Sequence, residues 1–254
     1  MPGRAQPQSQ GSRQRLDALL VTRGLAPSRE RARALVLARS VLVDGVTALR
    51  AGAPVGAHVA LALREQPRYA SRGGEKLRDA LARSGLAELV AGRRCLDIGA
   101  STGGFTDCLL QHGAASVVAV DVGYGQLAVA LRDDPRVEVR ERTNARTLAP
   151  LDPLVDLVTV DVSFISLALV LPAAVASLRP GGDVLALVKP QFEAGRAEVG
   201  RGGVVRDPAI HAACVGRVAR WAVERGLRVR GVFRSPLPGP AGNLEFFLWL
   251  RRPA

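Results

Sequence analysis

Lysine is nearly missing from this chain. Among 35 basic residues in 254, two are lysine, Lys76 and Lys189, and the other 33 are arginine. Cysteine is also scarce: Cys95, Cys108 and Cys214 are odd in number, scattered and without a CxxC pair. That argues against a disulfide framework and against a zinc site, and fits a reducing cytosol; no metal is expected. Long apolar runs are missing too. The longest uncharged stretch, 162–178 (VSFISLALVLPAAVASL), carries Pro172 and three serines. It falls short of the roughly 18 apolar residues a membrane span needs. It reads as a strand end, a turn and a buried helix, and no membrane partner is expected. Residues 1–14 have no apolar core, so they do not form a secretory signal and are expected to be a disordered tail. A soluble, cytoplasmic protein is expected.

What is present begins with charge. The net charge is +12, and residues 1–64 hold ten arginines against Asp17, Glu30 and Asp44. The remaining 190 residues are nearly balanced, with 25 basic and 20 acidic groups. A small basic module joined to a large balanced one suggests a polyanion-binding arm on a second domain.

The hydrophobic pattern supports that division. In 15–64, RLDALLVTRG and APSRERARALVLARS read as two short helices, the second capped by Ser28. An Asp-Gly hairpin in SVLVDGVTAL and a strand in AHVALAL complete a small α+β module. Residues 65–74, with Pro67 and a glycine pair, read as a linker. From 75 to 254 strands and helices alternate. Strands are expected at 93–98, 116–121, 136–140, 155–161 and 183–188, and the stretch 226–252 adds two strands without a helix between them. Near-continuous apolar strands separated by helices predict a parallel sheet covered on both faces. Ending it with an antiparallel hairpin gives the α/β outline of a class I S-adenosylmethionine (SAM)-dependent methyltransferase.

CLDIGASTGGFTDCLL (95–110) is a strand, a glycine-rich turn and a helix start. Its spacing is G-x-x-x-G-G, a poor match to a dinucleotide fingerprint. Glycines let backbone approach a ligand at the carboxyl end of a strand. The expected cofactor contacts are Asp97, Gly99, Ala100, Ser101, Gly103, Gly104, Phe105 and Thr106 for the methionine half of SAM. Asp121, closing the next strand, would take the ribose hydroxyls, and Asn144 the adenine edge.

Arginine cannot give up its proton in a protein, whereas a lysine pKa falls readily on burial or beside another cation. A chain that uses arginine almost everywhere should keep lysine where a proton must move. Lys189 follows a predicted central strand and Asp161 ends the preceding one, so the two should converge at one sheet edge. A lysine there is placed to take the proton of a ribose 2′-hydroxyl. Lowering it from about 10.4 to near 7–8 corresponds to roughly 4 kcal/mol of destabilised ammonium.

SRGGEKL (71–77), LDIGASTGGFTDCLL (96–110), DVSFISL (161–167), LVKPQFEAGR (187–196) and GGVVRD (202–207) together resemble the TlyA family. Its members are bacterial ribosomal RNA 2′-O-methyltransferases with an FtsJ-like catalytic domain. Their N-terminal RNA-binding domain is similar to that of small-subunit ribosomal protein S-four. The resemblance implies a catalytic Lys-Asp-Lys-Glu tetrad at Lys76, Asp161, Lys189 and Glu245, with SAM as cofactor. It also implies cytidine 2′-hydroxyls of ribosomal RNA, in one subunit or both, as substrate. Arg15, Arg29 and Arg33 of the basic module are then expected to contact phosphates. Two other readings compete. An amino-directed base methyltransferase is disfavoured because DVSF stands where an Asn/Asp-Pro-Pro-aromatic segment is expected. A non-catalytic RNA-binding or haemolysin-like membrane-active protein is disfavoured by the complete tetrad.

Overall fold

The structure, a computed structural model, describes residues 13–64 and 67–254, and the chain divides into two compact units between Gln66 and Pro67. In the first unit, β1 (Arg13–Arg15) runs into α1 (Leu16–Thr22), followed by α2 (Arg29–Leu37). The Ser28 hydroxyl accepts from the Arg31 N–H and starts α2. Leu16, Leu20, Ala26, Ala32, Val36 and Val41 form its core. Strands β2 (Val41–Val43) and β3 (Val46–Thr47) are joined at Asp44 and Gly45, both with positive φ, the two-residue turn that Asp-Gly favours. β4 (Pro54–Gly56) pairs with β1, and β5 (Leu61–Leu63) pairs with the other edge of β2.

Two boundaries differ from the sequence reading. Residues 1–12 of the expected disordered tail lie outside the described residues, but Arg13 and Gln14 are ordered strand, held by Gly56 and Val55. The expected linker 65–74 overlaps the second unit. Residues 65–66 lie outside the described residues, Tyr69 is buried, and Ser71 caps the helix that begins at Arg72. The glycine pair read as a flexible joint is a close helix contact instead.

The three arginines assigned to RNA share a partner. Asp17 is fully buried, and Arg15 grips it with two hydrogen bonds of 3.1 and 3.0 Å. Arg29 and Arg33 add contacts of 3.3 and 3.2 Å. These cations hold the carboxyl far below its ordinary range, with Arg15 contributing most. Its stabilising contribution is therefore full above about pH 4 and lost as pH falls further. The arginines stay about half exposed, which screens each pair. Asp17→Ala should destabilise the first unit by about 1–3 kcal/mol, read as faster amide exchange in α1 and α2. Unchanged exchange would mean that the cluster is merely solvated.

The second unit opens with α3 (Arg72–Ser84), then β6 (Arg94–Ile98), α4 (Gly104–Gln111), β7 (Ser116–Val120), α5 (Val129–Arg132) and β8 (Val137–Arg140). It continues through β9 (Val155–Val160), α6 (Leu167–Ala176), β10 (Leu178–Val188), α7 (Pro190–Glu193), α8 (Pro208–Glu224), β11 (Arg228–Arg234) and β12 (Phe246–Arg251). The sheet order is β11-β12-β10-β9-β6-β7-β8, with only β12 reversed. Alternate strand residues feed two cores. Leu96, Ile98, Val158, Val160, Val184 and Ala186 pack on one face, and Cys95, Val117, Leu157, Leu185, Leu187 and Phe247 on the other. Both faces are dry, which is why the strands read as continuous apolar runs. β10 starts five residues earlier than expected, its register shifting between Leu178 and Asp183. The run 162–178 supplies α6, with Pro172 inside it, and no helix among the described residues is long and apolar enough to cross a membrane.

Candidate active site

The sheet reverses its winding between β6 and β9, where open α/β sheets bind ligands beyond the carboxyl ends of their strands. Gly99 follows β6 and Asp161 follows β9. The two turns meet: the Asp161 N–H donates to Ile98 O at 2.9 Å, and a Cβ on Gly99 would lie 2.4 Å from the Asp161 carbonyl oxygen. A second close approach joins the two glycine motifs. A Cβ on Gly104 would lie 2.1 Å from Ser71 Oγ and 3.0 Å from Gly74 N, so α3 and α4 start against one another. This contact sets Lys76, one turn into α3, facing the sheet.

There the chain's two lysines each meet a carboxylate. Lys76 Nζ donates to Glu245 Oε2 at 2.6 Å, with both side chains buried. Lys189 Nζ lies 2.7 Å from Asp161 Oδ1 and donates to Ser163 Oγ at 2.9 Å. The Asp161 contact is a charge contact off the hydrogen-bond direction, and Oδ1 is buried without a hydrogen-bond partner. The four side chains of the expected tetrad line one pocket together with Gly99, Ala100, Ser101, Gly104 and Phe105. The pocket also takes Ser71, Arg72, Thr102, Ser163 and Pro240, which sequence reasoning did not single out. All but Pro240 lie inside a motif already recognised, such as Ser71 in SRGG and Ser163 in DVSF, but their side-chain types alone carried no signal.

A second cleft opens beside the first and shares Ser163, Lys189, Pro240 and Glu245 with it. Its wall is aromatic: Phe164 and Phe192 lie 4.8 Å apart, centroid to centroid, and Phe164 is 89% exposed with φ +63°. A bulky residue in left-handed backbone with its ring in solvent is strained, and such strain gathers at functional sites.

Five expected cofactor residues do not line the pocket. Asp97 is wholly buried beneath the turn, accepting from Thr106 Oγ1 at 2.7 Å and Thr159 Oγ1 at 3.0 Å. It supports the turn rather than facing a ligand, and Thr106 is part of that support. Gly103 packs against Leu127 and Leu131. Asp121 accepts from the backbone N–H of Ser101 and Gly123, fixing the turn from β7. Asn144 caps a short turn through the Arg146 N–H and is exposed.

Burial pushes the Asp97 carboxyl up to about 7, with the two hydroxyls opposing and the nearby Asp161 charge adding to the rise. A carboxyl raised in the fold binds a proton that the unfolded chain releases near pH 4. Its contribution is therefore full below that pH and lost as pH rises toward 7. Asp97→Asn should thus gain stability relative to wild type, on the order of 2–4 kcal/mol, between pH 4 and 8. Thermal melts across that range check this, and a constant difference would rule it out.

Residues 69–252 match the FtsJ-like methyltransferase family and residues 14–59 match the S4 domain. The 16S/23S rRNA (cytidine-2′-O)-methyltransferase TlyA of Mycobacterium tuberculosis is 55% identical over 243 residues, 94% of this chain and 90% of that protein. The chain belongs to the TlyA family of FtsJ-like methyltransferases. YqxC of Bacillus subtilis, a candidate rRNA methyltransferase by its name, is 46% identical over 95% of this chain and 86% of its own. A solved structure from Streptococcus thermophilus, named as a candidate haemolysin, superposes with a TM-score of 0.72 at 44% identity. It covers 95% of this chain and 89% of its own. Family membership makes the chain a methyltransferase, with an S4 domain as its first unit, and the seven-stranded sheet with one reversed strand agrees with the FtsJ-like fold.

Proposed function

We propose that this enzyme transfers the methyl group of SAM to the 2′-hydroxyl of cytidine in ribosomal RNA, with Lys189 as general base. The carrying observation is the meeting of both lysine–carboxylate pairs with the glycine-rich turn in one pocket. The donor set fits the cofactor. Residues Gly99 to Thr102 and the small residues Ser71 and Gly73 form a polar slot. Asp161 offers negative charge to a sulfonium or ammonium, and Arg72 offers a fork to a carboxylate. Asp121, beside the slot, keeps lone pairs for ribose hydroxyls. When bound there, SAM supplies an activated methyl group.

The protein's own residues do the rest. The Lys189 amine takes the proton of the 2′-hydroxyl as that oxygen attacks. Glu245 and Lys76 hold the ribose side of the pocket. Phe164 and Phe192 offer an apolar wall on which an unstacked base can lie, in the way proteins read single-stranded RNA. Alignment matters more than anion stabilisation, because transfer discharges the sulfonium. The S4-type unit, through Arg15, Arg29 and Arg33, supplies phosphate contacts that weaken with salt.

The test is transfer of labelled methyl from SAM to isolated small and large ribosomal subunits that lack the modification. Label in 2′-O-methylcytidine from one subunit or both supports the reading and names the target. Label on a base nitrogen, or none on either subunit, refutes it.

A further inference from the structure

Lys189 needs more than proximity to act as a base. A neutral amine has two N–H bonds and one lone pair, and the amine must be turned so that the lone pair meets the hydroxyl proton. The nearest charge, Asp161 Oδ1 at 2.7 Å, lies off the hydrogen-bond direction, so it attracts the amine without fixing its rotation. The one hydrogen bond that Nζ makes among the described residues goes to Ser163 Oγ, at 2.9 Å. Ser163 lies two residues beyond Asp161 and lines both the glycine-turn pocket and the aromatic cleft, as Lys189 does. Left-handed backbone at the next residue, Phe164, sets the course of this turn.

We propose that Ser163 is a positioning residue that sets the rotation of the Lys189 amine; the inference rests on Lys189 being the base. Its Oγ takes one N–H, and Asp161 draws the other toward the same segment. The lone pair is left in the remaining tetrahedral direction, away from residues 161–163. The 2′-oxygen then forms its bond to the methyl carbon while the methyl–sulfur bond breaks, and the hydroxyl proton passes to Nζ. Ser163 donates nothing in this step and holds no charge. The other charged groups around the pocket are Glu245, just before β12, and Lys76 and Arg72 from α3, and none of them hydrogen-bonds Nζ.

The test is single-turnover methyl transfer across pH with Ser163→Ala and Ser163→Thr, beside wild type and Lys189→Arg. The exposed hydroxyl should leave the unfolding midpoint unchanged in both serine variants. Ser163→Ala should lower the rate at optimum by about tenfold to a hundredfold, with apparent affinities for RNA and SAM within about twofold of wild type. Its pH–rate profile should move to lower pH, because a lost acceptor no longer favours the ammonium. Ser163→Thr, which keeps the acceptor, should restore both rate and profile. A wild-type rate in Ser163→Ala would overturn the proposal. So would a loss confined to RNA affinity with the profile unmoved. If Lys189→Arg matches wild type, the base assignment itself fails and this inference falls with it; loss in Lys189→Arg beside full activity in Ser163→Ala refutes Ser163 alone.

Discussion

Lys189→Arg is expected to lower methyl transfer by about a hundredfold to ten-thousandfold while SAM binding stays within about threefold of wild type. The substitution keeps the positive charge beside Asp161 and removes only the capacity to take a proton, because a guanidinium stays protonated in any protein environment. It also separates the two lysines. Lys76 is paired with Glu245 at 2.6 Å between two buried side chains, a contact that a guanidinium can keep in part. Lys76→Arg should therefore retain more activity than Lys189→Arg by about tenfold or more. The measurement is labelled methyl transfer with each variant, alongside calorimetric SAM binding. Equal losses in both would mean that the pocket needs two compact ammonium groups and that neither is singled out as the base. A larger loss in Lys76→Arg would exchange the two roles.

The composition argument for Lys189 and Lys76 depended on type alone, and the fold places both lysines in the same pocket. A parallel sheet covered on both faces was implied by the alternation of apolar runs with helices, but the order of its strands was not legible there and comes from the fold. What the sequence hid was direction. Asp97 reads as a ligand-facing carboxylate at a strand end, but strand residues alternate, and Asp97 is turned under the glycine loop toward Thr106 and Thr159. Arg15, Arg29 and Arg33 read as a polyanion surface; the fold leaves each about half exposed but adds what the sequence did not show, one buried acid, Asp17, that gathers all three. Gly73 and Gly74 read as a flexible joint because a glycine pair usually breaks helices. Here they start one, since a Cβ on Gly74 would lie 2.3 Å from the Tyr69 ring. Tertiary close approach and local flexibility select the same residue, and sequence does not distinguish them. Ser163 was invisible for a related reason: a serine's value as an acceptor exists only once Lys189 has been brought within 2.9 Å of it.

Gly99→Ala should remove most activity, by about a hundredfold or more, and destabilise the second unit by about 2–4 kcal/mol. Two costs combine there. Gly99 has φ +86°, a left-handed conformation that costs an alanine about 1–2 kcal/mol. The new methyl would also lie 2.4 Å from the Asp161 carbonyl oxygen and 2.8 Å from its carbon, which are backbone atoms with no rotamer to escape into. The β6 and β9 turns must then move apart, carrying Asp161 away from Lys189. Gly85→Ala separates the two costs. Gly85 ends α3 with φ +71° and nothing within 4 Å of its would-be Cβ, so it bears the conformational cost alone. It should lose about 1 kcal/mol and keep full activity. Denaturation midpoints and methyl transfer rates for both variants decide the matter. If Gly99→Ala loses no more stability than Gly85→Ala and stays active, the two turns are not in rigid contact. The Asp161–Lys189 pair would then be positioned by something other than the glycine-rich turn.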